Sequence, residues 1–285
     1  MNVSHPAPDH SAPDRSTPGH STPGLSTPAA DGRALVVTRI SDTQWQAVED
    51  DRVVGSGDTS RRPDGRLFVS VDAWQGPVFD RIARTMLTDL PEPLHTVTDE
   101  ADQEATAAWQ RVGFAVVRRE WGYTVPTDPR TTGLGPVRPP AGVTVLAPGE
   151  AREEPLRDLD RAIHREVEAG AGWSAMPAQI LPRPAGTTVV HPVKYTVAHE
   201  DGRYVGLLRT APLPRRPRIG LLAVRADHQR RGIARALLAH ALDSLHRDGV
   251  TTAWAEVAET NAAATALFEG IGACRAGSTL ELVRH

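Results

Sequence analysis

The residues best suited to chemistry lie in one run, Leu221-Leu222-Ala223-Val224-Arg225-Ala226-Asp227-His228-Gln229-Arg230-Arg231-Gly232-Ile233-Ala234-Arg235. An apolar stretch ends at Val224, a short turn follows, and a helical pattern opens near Arg230. The first N–H groups of a helix have no acceptor inside it and point outward. With the positive end of the helix dipole they favour an anion there. Gly232 and Ala234 carry little or no side chain, so phosphate oxygens can reach the backbone of residues 230–235, Ile233 included. Arg230, Arg231 and Arg235 add positive charge. The pattern describes a pyrophosphate cradle built mainly from main chain.

Other reactive types are more scattered. Asn261 stands before a helical stretch, a position that suits a plain N-cap. The single cysteine, Cys274, reads as a small buried residue. The eleven histidines show no metal-ligand spacing, and His228 reads as a turn histidine beside the cradle.

Periodicity assigns the elements that hold these residues. Residues 34–40, 45–48, 52–55 and 66–71 read as short strands separated by turn residues. An amphipathic helix follows over 77–90, then a strand at 94–98, a helix at 102–112, and a closing strand pair at 114–117 and 123–125. The Pro/Gly/Thr-rich stretch 126–140 reads as a linker, giving a linker at 127–140 between domains 33–126 and 141–285. In the second half, strands at 143–146, 194–198, 204–210, 219–224, 251–257 and 279–283 accompany helices at 150–168, 230–247 and 262–269. The order indicates an α/β fold with a mixed sheet. The Ser-Thr-Pro repeats of residues 1–32 bury almost nothing and are expected to be disordered.

The halves repeat a pattern. Asp102, Ala105, Ala108, Trp109, Gly113 and Phe114 match Asn261, Ala264, Leu267, Phe268, Gly272 and Ala273 at one constant offset. Each set follows a strand and precedes another, which points to duplication. Trp74, Trp109 and Trp121 are expected in the core. Composition adds exclusions. A net charge of −3 argues against nucleic acid. No apolar run approaches the ~20 residues of a membrane span. One cysteine fits a reducing, cytoplasmic setting.

Gln229-x-x-Gly232-x-Ala234 after an apolar strand resembles the first signature of the GNAT superfamily of acetyl-CoA-dependent N-acetyltransferases. Asn261-x-x-Ala264-x-x-Leu267-Phe268-x-x-x-Gly272 is similar to its second. The resemblance covers residues 141–285, and 34–125 resembles a degenerate, shortened copy. It implies a mostly antiparallel mixed sheet flanked by helices, in tandem. It also implies that Leu222, Ala223 and Val224 hold the pantetheine arm of acetyl-CoA, that Gln229 and residues 230–235 grip the pyrophosphate, and that Asn261 and Phe268 border the arm near the thioester. An amide near Val224 would stabilise the oxyanion.

The chain departs from the family where acid and base usually stand. Phe268 replaces a tyrosine and cannot donate a proton, and strand 219–224 has no carboxylate. Glu256 is the remaining candidate base, with a solvated strand charge as its bland alternative; His164 and Glu168 are weaker candidates. Trp173 falls where acceptor loops lie, for stacking or for packing. The N-terminal counterpart, Val69 to Phe79, lacks the arginines and the small pair, so it is not expected to bind acetyl-CoA. The implied activity is acetyl transfer to a primary amine of a small molecule. A protein lysine or N-terminus as acceptor, or a non-catalytic acyl-CoA-binding module, are the alternatives.

Overall fold

The computed structural model describes residues 35–62, 64–170, 190–211 and 216–285. The expected disorder of the N-terminal tail and the role of Trp173 lie outside these residues. Strands β1 (Val36–Ser41), β2 (Gln44–Glu49), β3 (Arg52–Arg61) and β4 (Leu67–Ala73) precede helix α1 (Gly76–Asp89). Then come β5 (Leu94–Asp99), α2 (Gln103–Arg111), β6 (Ala115–Pro126) and the short α3 (Pro129–Thr132). The second half runs β7 (Val143–Leu146), α4 (Glu153–Ala169), β8 (Tyr195–Glu200), β9 (Arg203–Ala211), β10 (Arg218–Val224), α5 (Ile233–Arg247), β11 (Thr252–Ala258), α6 (Ala262–Glu269) and β12 (Cys274–Arg284).

All twelve strands form one sheet, ordered β1-β2-β3-β4-β5-β12-β6-β11-β10-β9-β8-β7. Pairing is antiparallel except for β4 with β5 and β10 with β11. The centre of the sheet is interleaved. β12, the last strand of the chain, pairs β5 of the first half, while β6, the last strand of the first half, pairs β11 of the second. The two exchanged strands pair with each other from Cys274↔Thr124 to Val283↔Ala115. Residues 114–117 and 123–125 therefore do not pair as expected: 115–117 and 123–125 belong to one continuous strand whose partners lie far away in sequence.

The halves repeat locally. Asp102 caps α2, its Oδ1 accepting from the Ala105 amide at 2.9 Å, and Asn261 caps α6, its Oδ1 accepting from Ala264 at 3.0 Å. The glycines after these helices, Gly113 and Gly272, both have positive φ, 96° and 76°, where only glycine is unstrained. Helix α1 starts with a proline in its first turn, where the missing N–H costs nothing. It buries Val78, Phe79, Ile82, Ala83 and Met86 against the first half of the sheet.

Helix α5 buries Ile233, Ala236, Leu237, Leu238, Ala241 and Leu242 along one stripe. These pack with residues of β8 to β11 and with Tyr123 and Val125 of β6. Truncating a side chain as buried as Leu237 costs about 2–5 kcal/mol. On the opposite face α4 buries Leu156, Leu159 and Ile163 against Tyr195, Val197, Leu207 and Leu221. The stretch read as a linker is partly packed: it contains α3, and Leu134 joins the α5 core.

Two expectations of burial fail. Trp74 is 96% exposed, because it sits in the tight turn between β4 and α1 rather than on either element. Cys274 is exposed, because it is the first residue of β12, at the end of the strand. Trp109 is buried as expected, edge-on to Phe79 and Phe114.

Candidate functional site

Strands β10 and β11 are in register only at Arg218↔Trp254 and Ile219↔Ala255, whereas β10 stays paired with β9 as far as Val224↔Gly206. Beyond Ile219 the two parallel strands part, and the backbone edge of Gly220 to Val224 faces an opening. A bulge lies at Ile219/Leu221 in the β9 pairing. The opening is a cavity of about 850 Å³. It runs from the wedge apex, at Ile219, Gly220 and Glu256, to the start of α5.

At that far end, Arg230 (φ 64°) and Gly232 (φ 91°) both adopt left-handed backbone conformations. The chain thus turns sharply into α5, whose N-cap, Gly232, offers no capping side chain. The leading amides of Ile233, Ala234 and Arg235 have no acceptor within the helix. Nothing lies within 4 Å of where a Cβ on Gly232 would stand. The result is an open concavity with main-chain donors and positive charge around it, suited to a phosphate.

The cavity wall gathers Leu222, Ala223, Val224, Gln229, Arg230, Ile233, Ala234, Glu256, Asn261 and Phe268. Ile233 is 1% exposed, so its side chain belongs to the core and its amide is what it offers the site. Gln229 is structural in part: its side-chain amide donates to the Val224 carbonyl at 3.1 Å and closes the turn. Asn261 uses its oxygen as a cap, which leaves its NH₂ available. Phe268 stacks on Tyr123 of β6, centroids 5.9 Å apart.

Five sequence-derived residues stand apart from this wall. Arg231 turns away to a bidentate pair with Glu200 at 2.8 and 2.5 Å, and its guanidinium holds that carboxylate below its ordinary range. Arg235 and Gly232 flank the lining without being part of it. His164 is also outside. It contacts Asp160 through the backbone oxygen at 2.7 Å and the carboxylate at 3.2 Å, and the hydrogen bond to the carboxylate raises its pKa. Glu168 does not line the cavity either.

At the apex both oxygens of Glu256 are engaged. Oε2 accepts from Arg218 Nη2 and Oε1 from Trp254 Nε1 at 3.1 Å. The side chain is 13% exposed. Each carboxylate oxygen retains a further lone pair for a proton or a water. Trp254 packs against Gly122 of β6: a Cβ there would stand 2.3 Å from the indole. Arg216 lies over the ring, 4.2 Å from its centroid. A strand of the first half is thereby the floor under the residue that orients Glu256.

Two further residues escaped the sequence reading. Glu166 of α4 lines the cavity and clamps the turn after β10, accepting from Arg225 Nε at 2.9 Å and the Ala226 amide at 2.8 Å. Trp254 is visible only through cross-strand register. His228 lines the cavity too. Its ring contacts Asp227 at 2.6 Å and Glu200 at 3.2 Å, and the hydrogen bond to His228 lowers the Asp227 pKa.

Residues 157–273 match the Acetyltransferase (GNAT) family. A stretch of 51 residues is 53% identical to the [ribosomal protein bS18]-alanine N-acetyltransferase of Escherichia coli (strain K12), covering 18% of this chain and 34% of that enzyme. The chain thus spans about a third of the curated relatives it matches. Among solved structures, it is similar to a GCN5-related N-acetyltransferase from Sphaerobacter thermophilus, at 17% identity and TM-score 0.60. That alignment covers 87% of this chain and 82% of the other. It is likewise similar to a tandem GNAT protein from the clavulanic acid biosynthesis pathway, at 17% identity and TM-score 0.58, over 84% and 81%. At such identities the likeness establishes the fold. The segment 157–273 is a GNAT-family domain, and the chain has the GNAT fold.

Proposed function

We propose that the chain is an N-acetyltransferase moving an acetyl group from acetyl-CoA to a primary amine of a small molecule. One observation carries the reading. A single cavity joins the unpaired edge of β10, the uncapped start of α5 and Asn261, which are the parts a pantetheine diphosphate needs. In this reading residues 230–235 hold the pyrophosphate and Leu222 to Val224 bond the amides of the arm as an added strand would. Asn261 donates to the arm near the thioester. Residues 33–126 act as a degenerate copy that binds no acetyl-CoA but completes the sheet.

The thioester then lies at the apex, beside Glu256. The amine nitrogen adds to the thioester carbon, and a backbone N–H on the β10 edge stabilises the oxyanion. The C–S bond breaks as the intermediate collapses. The proton lost by nitrogen passes to Glu256 through a water, and the thiolate departs and is protonated by solvent. A thiolate is a far better leaving group than an amide nitrogen and departs without a strong acid, so Phe268 in place of a tyrosine is no obstacle.

The test is release of free thiol from acetyl-CoA with a panel of amines. The expected outcome is turnover that falls about 100-fold in Glu256→Gln, the usual scale for a lost general base, with acetyl-CoA affinity unchanged. Tight acetyl-CoA binding without thiol release across the panel would instead indicate an acyl-CoA-binding module. A second reading, acetylation of a protein N-terminus, is favoured by the name of the Escherichia coli relative; a ribosomal-protein peptide in the same panel addresses it.

A further inference from the structure

We propose that the acceptor is a small amine bearing a carboxylate, and that Arg209 is the side chain that recognises the carboxylate. The inference rests on the acetyl-transfer reading and extends it to the substrate.

With the phosphates at the start of α5, the reacting end of the arm points to the wedge apex, where Gly220 forms part of the wall. Arg209 of β9 lies against it: its Nε and Nη2 are each 3.4 Å from where a Cβ on Gly220 would stand. Glycine at 220 leaves room for the guanidinium directly behind the apex wall, although Arg209 does not itself line the cavity. In the sheet Arg209 is opposite Leu221 on one side and Tyr195 on the other, and both belong to the core beneath α4. Arg209 therefore projects on the α4 face of the sheet, opposite α5.

The charges around the apex are unequal. Glu256 is already matched by Arg218. Arg216 is stacked on Trp254 and donates to Thr124 Oγ1 at 3.3 Å. The side chain of Arg209, half-buried, has neither ion pair nor hydrogen bond among the described residues. A guanidinium withdrawn from water without a counter-ion is unfavourable until an anion arrives, and its planar fork matches a carboxylate with two parallel hydrogen bonds. Among the described residues, the one unmatched positive charge behind the apex suits one negative charge. The amine, directed to Glu256 and the thioester, and the carboxylate, directed to Arg209, define an amino-acid-like molecule. The same charge repels a strongly basic peptide tail.

The experiment compares amino acids with their own carboxamides as acceptors for the full chain, reading thiol release. The expected result is a KM at least tenfold lower for each acid than for its amide. Arg209→Leu should erase that preference without changing the KM for acetyl-CoA, and Arg209→Lys should restore part of it. Equal use of acid and amide by the wild-type chain would overturn the proposal whether or not the variant folds. So would a preference that survives in Arg209→Leu. Absence of turnover with every amine would overturn the acetyl-transfer reading, and this one with it.

Discussion

The chain contains the strand–turn–helix unit twice, and the two versions differ where an anion would sit. In the first half only Trp74 and Gln75 separate β4 from α1. The helix opens with Pro77 in its first turn, which removes one of the outward N–H groups. In the second half residues 225–232 intervene between β10 and α5, two of them in left-handed conformations, and the helix opens on bare amides. In both halves the parallel strands part after only two residue pairs. Splayed strands are thus common property, and the loop before the helix is where the two halves differ.

That contrast can be broken most severely at Ala234, which lines the cavity in the first turn of α5. Ala234→Glu puts a carboxylate where phosphate is expected, and should weaken acetyl-CoA about 100-fold, roughly 3 kcal/mol, by calorimetry. A glutamate in the first turn favours the helix, so the thermal midpoint should hold. Unchanged affinity would remove the cradle. Next comes Gly122, the contribution of the first half to the active end of the second. Gly122→Ala collides with Trp254; it should cost about 1–3 kcal/mol of stability by denaturant titration and slow turnover by displacing Glu256. Turnover as in wild type would show that β6 is only a spacer. The smallest effect belongs to Trp74→Ala, in the first half's turn. Because Trp74 is almost fully exposed, stability should change by less than about 0.5 kcal/mol and acetyl-CoA affinity not at all.

The open, uncapped start of α5 was legible in the sequence because a backbone left accessible there restricts side chains at fixed positions, and Gly232 and Ala234 obey that restriction. The repeat was legible for a similar reason, since caps and left-handed glycines recur at constant spacing. Neighbours across strands were not. Alternation reveals which face a side chain takes but not which strand lies beside it, so the exchange of β6 and β12 left no local trace. With it went Trp254, whose role depends on Gly122 in another half, and Arg209, whose reach depends on Gly220 one strand away. Trp74 was misread because its size suggested burial, whereas its place in a turn gave it nothing to pack against.

Interlacing has a consequence for how such a chain can change over generations. A protein that no longer needs one of two catalytic copies can normally shed it. Here, cutting near residue 130 would withdraw β6 from between β11 and β12 and leave an unsealed slot at the middle of the sheet, a surface prone to recruiting foreign strands. On the proposed reading of the first half as a degenerate copy, loss of chemistry there would not free its gene segment for deletion. The two halves would persist together, because the sheet of each takes a strand from the other.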